Sequence, residues 1–63
     1  MHPANLLIQP GSFVRHPTEP RLGLGRVQTV VGDIITVNFE DAGKIVIDGD
    51  KVALDTVDPT KPQ

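Results

Sequence analysis

The sequence predicts a small all-β protein, folded as a five-stranded, strongly bent antiparallel barrel with flexible termini. Three observations predict this class. β-branched residues dominate the middle of the chain, turn signals built on glycine, proline and aspartate recur at short intervals, and helix signals are nearly absent. Short strands with this spacing are typical of a meander that closes into a sandwich or barrel. With 63 residues, the chain has room for one domain.

Five strands are predicted in chain order, with turns between them. They cover residues 12–16, 25–31, 34–39, 44–47 and 53–57. Residues that face inward on these strands should form the core: Val14, Val27, Val30, Ile35, Val37, Phe39, Ile45, Ile47, Leu54 and Val57. The domain is accordingly expected over residues 11–57.

The second and third predicted strands form the clearest hairpin, because Gly32-Asp33 can supply the positive φ angles of a two-residue turn. A regular ladder from that turn would place Val27 on the face opposite Val37. One extra residue at 28–29, a β-bulge, returns Val27 to the buried face. A three-residue loop is the alternative. We expect the bulge, since it also coils the hairpin as a small barrel requires.

Both ends of the chain are expected to be tails. Residues 1–10, "MHPANLLIQP", contain one short apolar group, Leu6-Leu7-Ile8, which is too short for a stable free helix. This group can dock on the domain or on a partner, and both alternatives stay open. Residues 58–63, "DPTKPQ", are polar and contain two prolines, so we expect disorder there.

The glycines of the segment before the second strand are predicted to shape a turn. Gly23-Leu24-Gly25 is not a dinucleotide fingerprint, because Gln28 stands where the third glycine is needed and no helix can follow. Glycine there permits close approach of the backbone. The predicted structural turn residues are Pro17, Gly23, Gly25, Gly32 and Gly43.

No residue pattern predicts catalysis, a cofactor or a metal. The chain has no cysteine, which excludes disulfides and thiolate zinc sites. Asp48, Asp50 and Asp55 lack the spacing of a calcium loop and indicate a turn. His16 is expected to bond loop backbone and fix the turn; a place at the rim of a partner site is the alternative. We therefore predict a protein that is not an enzyme.

The charge distribution is the most informative surface feature. The formal net charge is −2, with Arg15, Arg21 and Arg26 in the N-terminal half and six of the eight acids from Glu40 onward. These arginines and His16 are the candidate partner-binding residues, for an acidic protein surface. With Lys44 they could also hold nucleic acid weakly and with strong salt dependence. No membrane-spanning or secretion segment is evident, so we expect a cytoplasmic monomer.

A family resemblance is carried by residues spread along the domain. They are Gly11, Phe13-Val14, His16-Pro17, Gly23, Gly25, Val27, Val37, Phe39, Gly43-Lys44, Leu54 and Val57. Over residues 10–57, about three quarters of the chain, this pattern resembles small bacterial Tudor-like (SH3-like) barrels. It is similar to the barrels of the RapA transcription ATPase and UvrD/PcrA-type helicases, and more distantly to the RNA-polymerase-interacting domains of CarD and Mfd.

The pattern also resembles short stand-alone bacterial proteins grouped as a domain-of-unknown-function family. The resemblance implies a protein-binding barrel that contacts RNA polymerase or the transcription and repair machinery. An exposed sheet edge and the loop from Arg15 to Arg26 would then form the contact surface, with strand addition as one binding mode.

Overall fold

The chain folds into one five-stranded antiparallel sheet, and the computed structural model describes residues 2–58. The strands are β1 (Phe13–Arg15), β2 (Gly25–Val31), β3 (Ile34–Phe39), β4 (Gly43–Asp48) and β5 (Asp55–Val57). Two 3₁₀ turns, Pro3–Asn5 and Pro20–Leu22, precede β1 and β2. The order in the sheet is β4-β3-β2-β1-β5. The predicted all-β class with five antiparallel strands is confirmed. Of the predicted C-terminal tail, residues 59–63 lie outside the described part.

One apolar core unites the sheet. Val14 of β1, Ile47 of β4 and Leu54, just before β5, belong to the same buried cluster, so the sheet curls around a single centre. The remaining buried members are Ile8, Leu22, Val27, Ile35, Val37 and Phe39. Of the predicted core residues, Val30 and Ile45 are half-buried and pack against the cluster. The prediction for Val57 is wrong: it lies opposite Phe13 on the outer face of the sheet, because the inward position beside it on β5 belongs to Thr56, opposite Val14. Ile8 and Leu22 were not predicted.

The β2–β3 hairpin contains the predicted bulge. Val27 lies opposite Val37, whereas Thr29 lies opposite Thr36, so Gln28 is the extra residue. Val27 therefore points into the core on the same face as Val37, as expected. The turn is simpler than predicted. Gly32 alone has a positive φ, of 57°, and Asp33 does not, so only the first turn position needs the left-handed region.

The N-terminal segment is joined to the connection between β4 and β5 through Asn5, which is fully buried. The Asn5 side-chain amide donates to the carbonyls of Gly49, at 2.8 Å, and Val52, at 2.7 Å. Its carbonyl accepts from the Leu54 amide at 3.0 Å. We call this group of bonds the Asn5 clamp. It supplies partners to the Val52 carbonyl and the Leu54 amide, and shares the Gly49 carbonyl with the His2 amide, which donates to it at 2.8 Å, so this segment contributes to the fold.

The apolar residues after Asn5 are not all buried. Ile8 is buried in the core, while Leu6 is 71% and Leu7 is 88% exposed. Of the two alternatives for this group, docking on the domain describes Ile8 alone. Among residues 2–58, the structure has no helix long and apolar enough to cross a membrane.

Candidate interaction surface

The outer face of the sheet around Phe13 is set by the alternation of inward and outward side chains along β1 and along β2 before its bulge. Val14 is buried, so Phe13 and Arg15 on either side of it point outward. Arg26 likewise points outward between the buried Gly25 and Val27. Phe13 and Arg26 lie directly opposite each other across the two strands. An aromatic side chain and a cation are thereby placed side by side on the surface.

The Arg26 guanidinium lies over the Phe13 ring, with its central carbon 6.0 Å from the ring centroid. This is the outer limit of a cation–π contact, which contributes about 0.5–1 kcal/mol at exposed sites. The ring is half-buried and Arg26 is exposed, so the pair keeps one side open to a partner.

Five outward side chains form a line across all five strands, one from each. The register pairs Val57 with Phe13, Phe13 with Arg26, Arg26 with Asn38, and Asn38 with Lys44. We call this line the outer row. It contains an apolar end, the aromatic ring, two cations and an amide. Directly opposed side chains on neighbouring strands lie close enough to contact one ligand together.

Two grooves flank Phe13. The wide groove has a volume of about 470 Å³, and the narrow groove about 210 Å³. The wide groove is lined by Leu7, Gly11, Ser12, Phe13, Thr56, Val57 and Asp58. The narrow groove is lined by Phe13, Leu24, Gly25, Arg26, Asn38 and Glu40. Phe13 is shared by both, so a ligand in either groove contacts its ring.

Gly25 lines the narrow groove and has no room for a side chain on its core side. A Cβ atom at this position would lie 2.5 Å from Cγ1 of Val37 and 2.7 Å from the Phe39 ring. The missing side chain lets β2 pass directly over the core. Gly23, two residues earlier, has φ 78° and donates to the Pro20 carbonyl at 3.1 Å, which ends the 3₁₀ turn. Both glycines therefore have the structural role predicted for them.

The four predicted partner-binding residues separate into two pairs. Arg15 and Arg26 share the outer face, whereas Arg21 and His16 bond within their own loop. Arg21 Nε donates to Glu19 Oε2 at 2.8 Å. His16 Nδ1 accepts from the Thr18 amide at 3.2 Å, and the Thr18 hydroxyl lies 3.3 Å from the same nitrogen. The prediction that His16 bonds loop backbone is confirmed. Pro17 lies in the bend that this bond closes.

Carboxylates accompany the cations on this surface. Glu40 lines the narrow groove beside Arg26, Asp58 lines the wide groove, and Asp55 lies opposite Arg15. The field is therefore mixed in sign, and no broad positive face is formed around the outer row. Elsewhere, Asp48 Oδ1 accepts from the Asp50 amide at 3.0 Å, which is the predicted turn. Across residues 2–58, no three side chains of metal-ligating type converge.

Phe13 is a surface residue that the sequence interpretation did not include among the partner-binding candidates. The signal for Phe13 was present, because a buried Val14 forces its neighbours outward. Leu7 belongs to the apolar group for which docking on a partner was one of the two alternatives, and the structure leaves it 88% exposed.

Comparison with known proteins gives one match. A family model described as a protein of unknown function (DUF3553) matches residues 8–57. The matched part begins at the buried Ile8 and ends with the last residue of β5, so it includes the whole sheet. No curated protein and no solved structure matches the chain.

Proposed function

Because the chain belongs to the DUF3553 family, whose description assigns no function, its role has to be inferred from its own surface, and we propose that it is a non-catalytic module that binds another protein. The contact surface is the outer row around Phe13 and Arg26, with the grooves on either side. One observation carries the proposal: a half-buried aromatic ring beneath an exposed guanidinium stands between two grooves.

Aromatic and arginine side chains supply most of the energy of protein interfaces when neighbouring grooves exclude water around them. Phe13 offers its ring from a fixed strand, so little side-chain freedom is lost on binding. Leu7, 88% exposed at the wide groove, adds apolar surface that a partner can cover. These features favour a partner that inserts one anchoring side chain into a groove beside Phe13.

The mixed charge favours a protein partner over nucleic acid. Arg26 shares the narrow groove with Glu40, Arg21 is paired with Glu19 and Arg15 lies opposite Asp55, so each of the three arginines has a carboxylate close by. Binding to phosphates would have to overcome those acids, whereas a protein surface can present complementary charges of both signs.

The resemblance to SH3-like and Tudor-like barrels supplies the class of partner. One sheet curled around a single core is what such a small barrel requires. By that resemblance, the partner is RNA polymerase or another component of the transcription and repair machinery, in the cytoplasm. Phe13 belongs to the pattern that carries the resemblance, which supports placing the contact there.

The test measures binding of the purified chain to RNA polymerase and to a UvrD-type helicase by biolayer interferometry. Arg26→Glu and Phe13→Ser should each weaken binding at least about tenfold, because both remove the central contact. Lys51→Glu, the same charge reversal on the exposed turn after β4, is the matched control and should bind like the wild type. Thermal unfolding checks that each variant is folded.

Two results would contradict the proposal. One is a wild-type chain that binds neither protein, and the other is binding that Arg26→Glu and Phe13→Ser leave unchanged. Oligonucleotides tested in parallel at two salt concentrations identify the alternative. It is favoured by the placement of Phe13, Arg26 and Lys44 in one row, and it requires binding that weakens steeply with salt.

A further inference from the structure

The outer edge of β4 presents main-chain groups that no described residue bonds. The Gly49 amide donates to the Asp33 carbonyl at 2.6 Å, in the same register as the β3–β4 ladder. Because bonded pairs alternate in an antiparallel ladder, residues 43, 45 and 47 bond to β3. The N–H and C=O of Lys44 and Val46 therefore point away from the sheet, as does the N–H of Asp48.

The side chains at these three positions are complementary to those of a second, antiparallel copy of the same strand. Lys44, Val46 and Asp48 are exposed and lie on the outer face, in the order cation, apolar residue, anion. When such a strand is turned end for end, its cation meets the anion of the original and the apolar residues meet each other. Val46 is 61% exposed, which is high for the centre of a strand.

We propose that a second copy of this chain pairs antiparallel along β4, with the two-fold axis at Val46. Lys44 then lies opposite Asp48 of the second copy, and the two Val46 side chains meet at the axis. The two sheets become one continuous sheet of ten strands. This surface shares Lys44, the last residue of the outer row, with the proposed partner-binding surface, whose centre at Phe13 and Arg26 lies on β1 and β2, away from the β4 edge.

The main-chain geometry allows four hydrogen bonds across the axis. Each Val46 amide donates to the Val46 carbonyl of the other copy, and each Asp48 amide donates to the opposite Lys44 carbonyl. The Asp48 carbonyl takes no part, since it already accepts from the Lys51 amide at 3.1 Å and the Val52 amide at 3.0 Å. Lys44, Val46 and Asp48 thus have main-chain groups that point outward, and the same three residues lie opposite one another in this register.

The register is specified by charge. Moving the axis to Lys44 places two ammonium groups opposite each other, and moving it to Asp48 does the same with two carboxylates. Like charges directly opposite on neighbouring strands are destabilising. The pairing also places half-buried Ile45 beside Ile47 of the other copy, which extends the apolar inner face across the axis. From the sequence alone we expected a monomer, since the sequence does not show which strand lies at the edge of the sheet.

The first test measures the mass of the intact chain by sedimentation, from micromolar to millimolar concentration. The wild type should associate to a dimer. Val46→Lys should raise the dissociation constant at least about tenfold, because it places two ammonium groups together at the axis. Val31→Lys is the matched control: Val31 is 71% exposed on the outer face of β2, away from the β4 edge, and should leave the dimer intact.

The second test exchanges the charges. Lys44→Asp and Asp48→Lys, each alone, should be monomeric, because each sets like charges across the axis. A mixture of the two variants should associate, because every pair across the axis is then opposite in sign. Asp48→Lys also removes a bond to the Asp50 amide, so its thermal unfolding is measured first. If that variant does not fold, isotope-filtered NMR of the wild type still reports an Ile45 Hα to Ile47 Hα contact between copies.

Three results would overturn this inference. They are a wild-type chain that stays monomeric at millimolar concentration, a dimer that Val46→Lys leaves unchanged, and folded charge variants that fail to associate when mixed. The first of these includes a chain that is monomeric alone and whose β4 edge pairs with a different protein. None of these outcomes depends on whether Phe13 and Arg26 bind RNA polymerase.

Discussion

Gly25 stands where β2 crosses the buried ring of Phe39, and the space for a side chain there is already filled. We expect Gly25→Ala to lower the free energy of unfolding by about 1–3 kcal/mol, the usual range for added atoms in a packed core. The added methyl group would lie within 3 Å of Cγ1 of Val37 and of the ring, so one of them has to move. Urea denaturation followed by circular dichroism measures the change.

Thr29→Ala is the matched control for this substitution. Thr29 is exposed on the same strand, and removing its hydroxyl and methyl groups should change the free energy of unfolding by no more than about 0.5 kcal/mol. Equal unfolding midpoints for Gly25→Ala and the wild type would show that the core has more room at this point than the geometry gives it.

Gly25 and Asn5 differ in how far the sequence alone predicts their structural roles. Gly25 could be predicted to permit close approach, because the β-branched run after it excludes a helix and leaves glycine a steric role. Asn5 could not be predicted, since its three partners are 44, 47 and 49 residues away. The Arg26–Phe13 contact depends in the same way on which residues of β1 and β2 face each other.

Among the elements, the strands that are long and alternate regularly were predicted best. β2 and β3 have the predicted bounds, and Gln28 forms the bulge that the apolar pattern required. β5 is shorter than predicted, beginning at Asp55 instead of residue 53. The Leu54 amide bonds to Asn5 and not to a neighbouring strand, so strand pairing starts at Asp55, two residues after the predicted start.

The effect of the bulge on strand register can be tested by deleting single residues. Deletion of Gln28 should leave a folded protein, because Val27 and Val30 then alternate regularly and keep their partners on β3. Deletion of Thr36 from the regular strand β3 should unfold it, since every inward residue on one side of the gap moves to the outer face. Dispersion of amide resonances in NMR spectra distinguishes the two. A folded Thr36 deletion, or an unfolded Gln28 deletion, would contradict this account of the register.

A folded chain of this length is only marginally stable. A folded protein of about 60 residues is stabilised by roughly 3–9 kcal/mol in total. Part of that stability comes from outside the five strands. Ile8 closes one side of the core, and the Asn5 clamp holds the connection between β4 and β5. The folded unit therefore includes the N-terminal segment that the sequence suggested was a tail.

Removal of residues 1–9 tests whether that segment is needed for folding. The deletion exposes the apolar surface that Ile8 covers, a loss of about 1.5–3 kcal/mol. It also leaves the Leu54 amide and the Gly49 and Val52 carbonyls without Asn5, which costs about 1–3 kcal/mol more. Together these losses approach the whole stability of a domain this small, so the shortened chain should be largely unfolded in circular dichroism at room temperature.

The control for this deletion lies in the same segment. Leu6→Ser combined with Leu7→Ser changes two apolar residues that are 71% and 88% exposed, so the unfolding midpoint should stay within error of the wild type. If the shortened chain unfolds at the wild-type urea concentration, the sheet is complete without Ile8 and Asn5. If the double substitution lowers the unfolding midpoint as much as the deletion does, Leu6 and Leu7 contribute to stability despite their exposure. Only an unfolded deletion together with an unaffected double variant assigns the stability to Asn5 and Ile8.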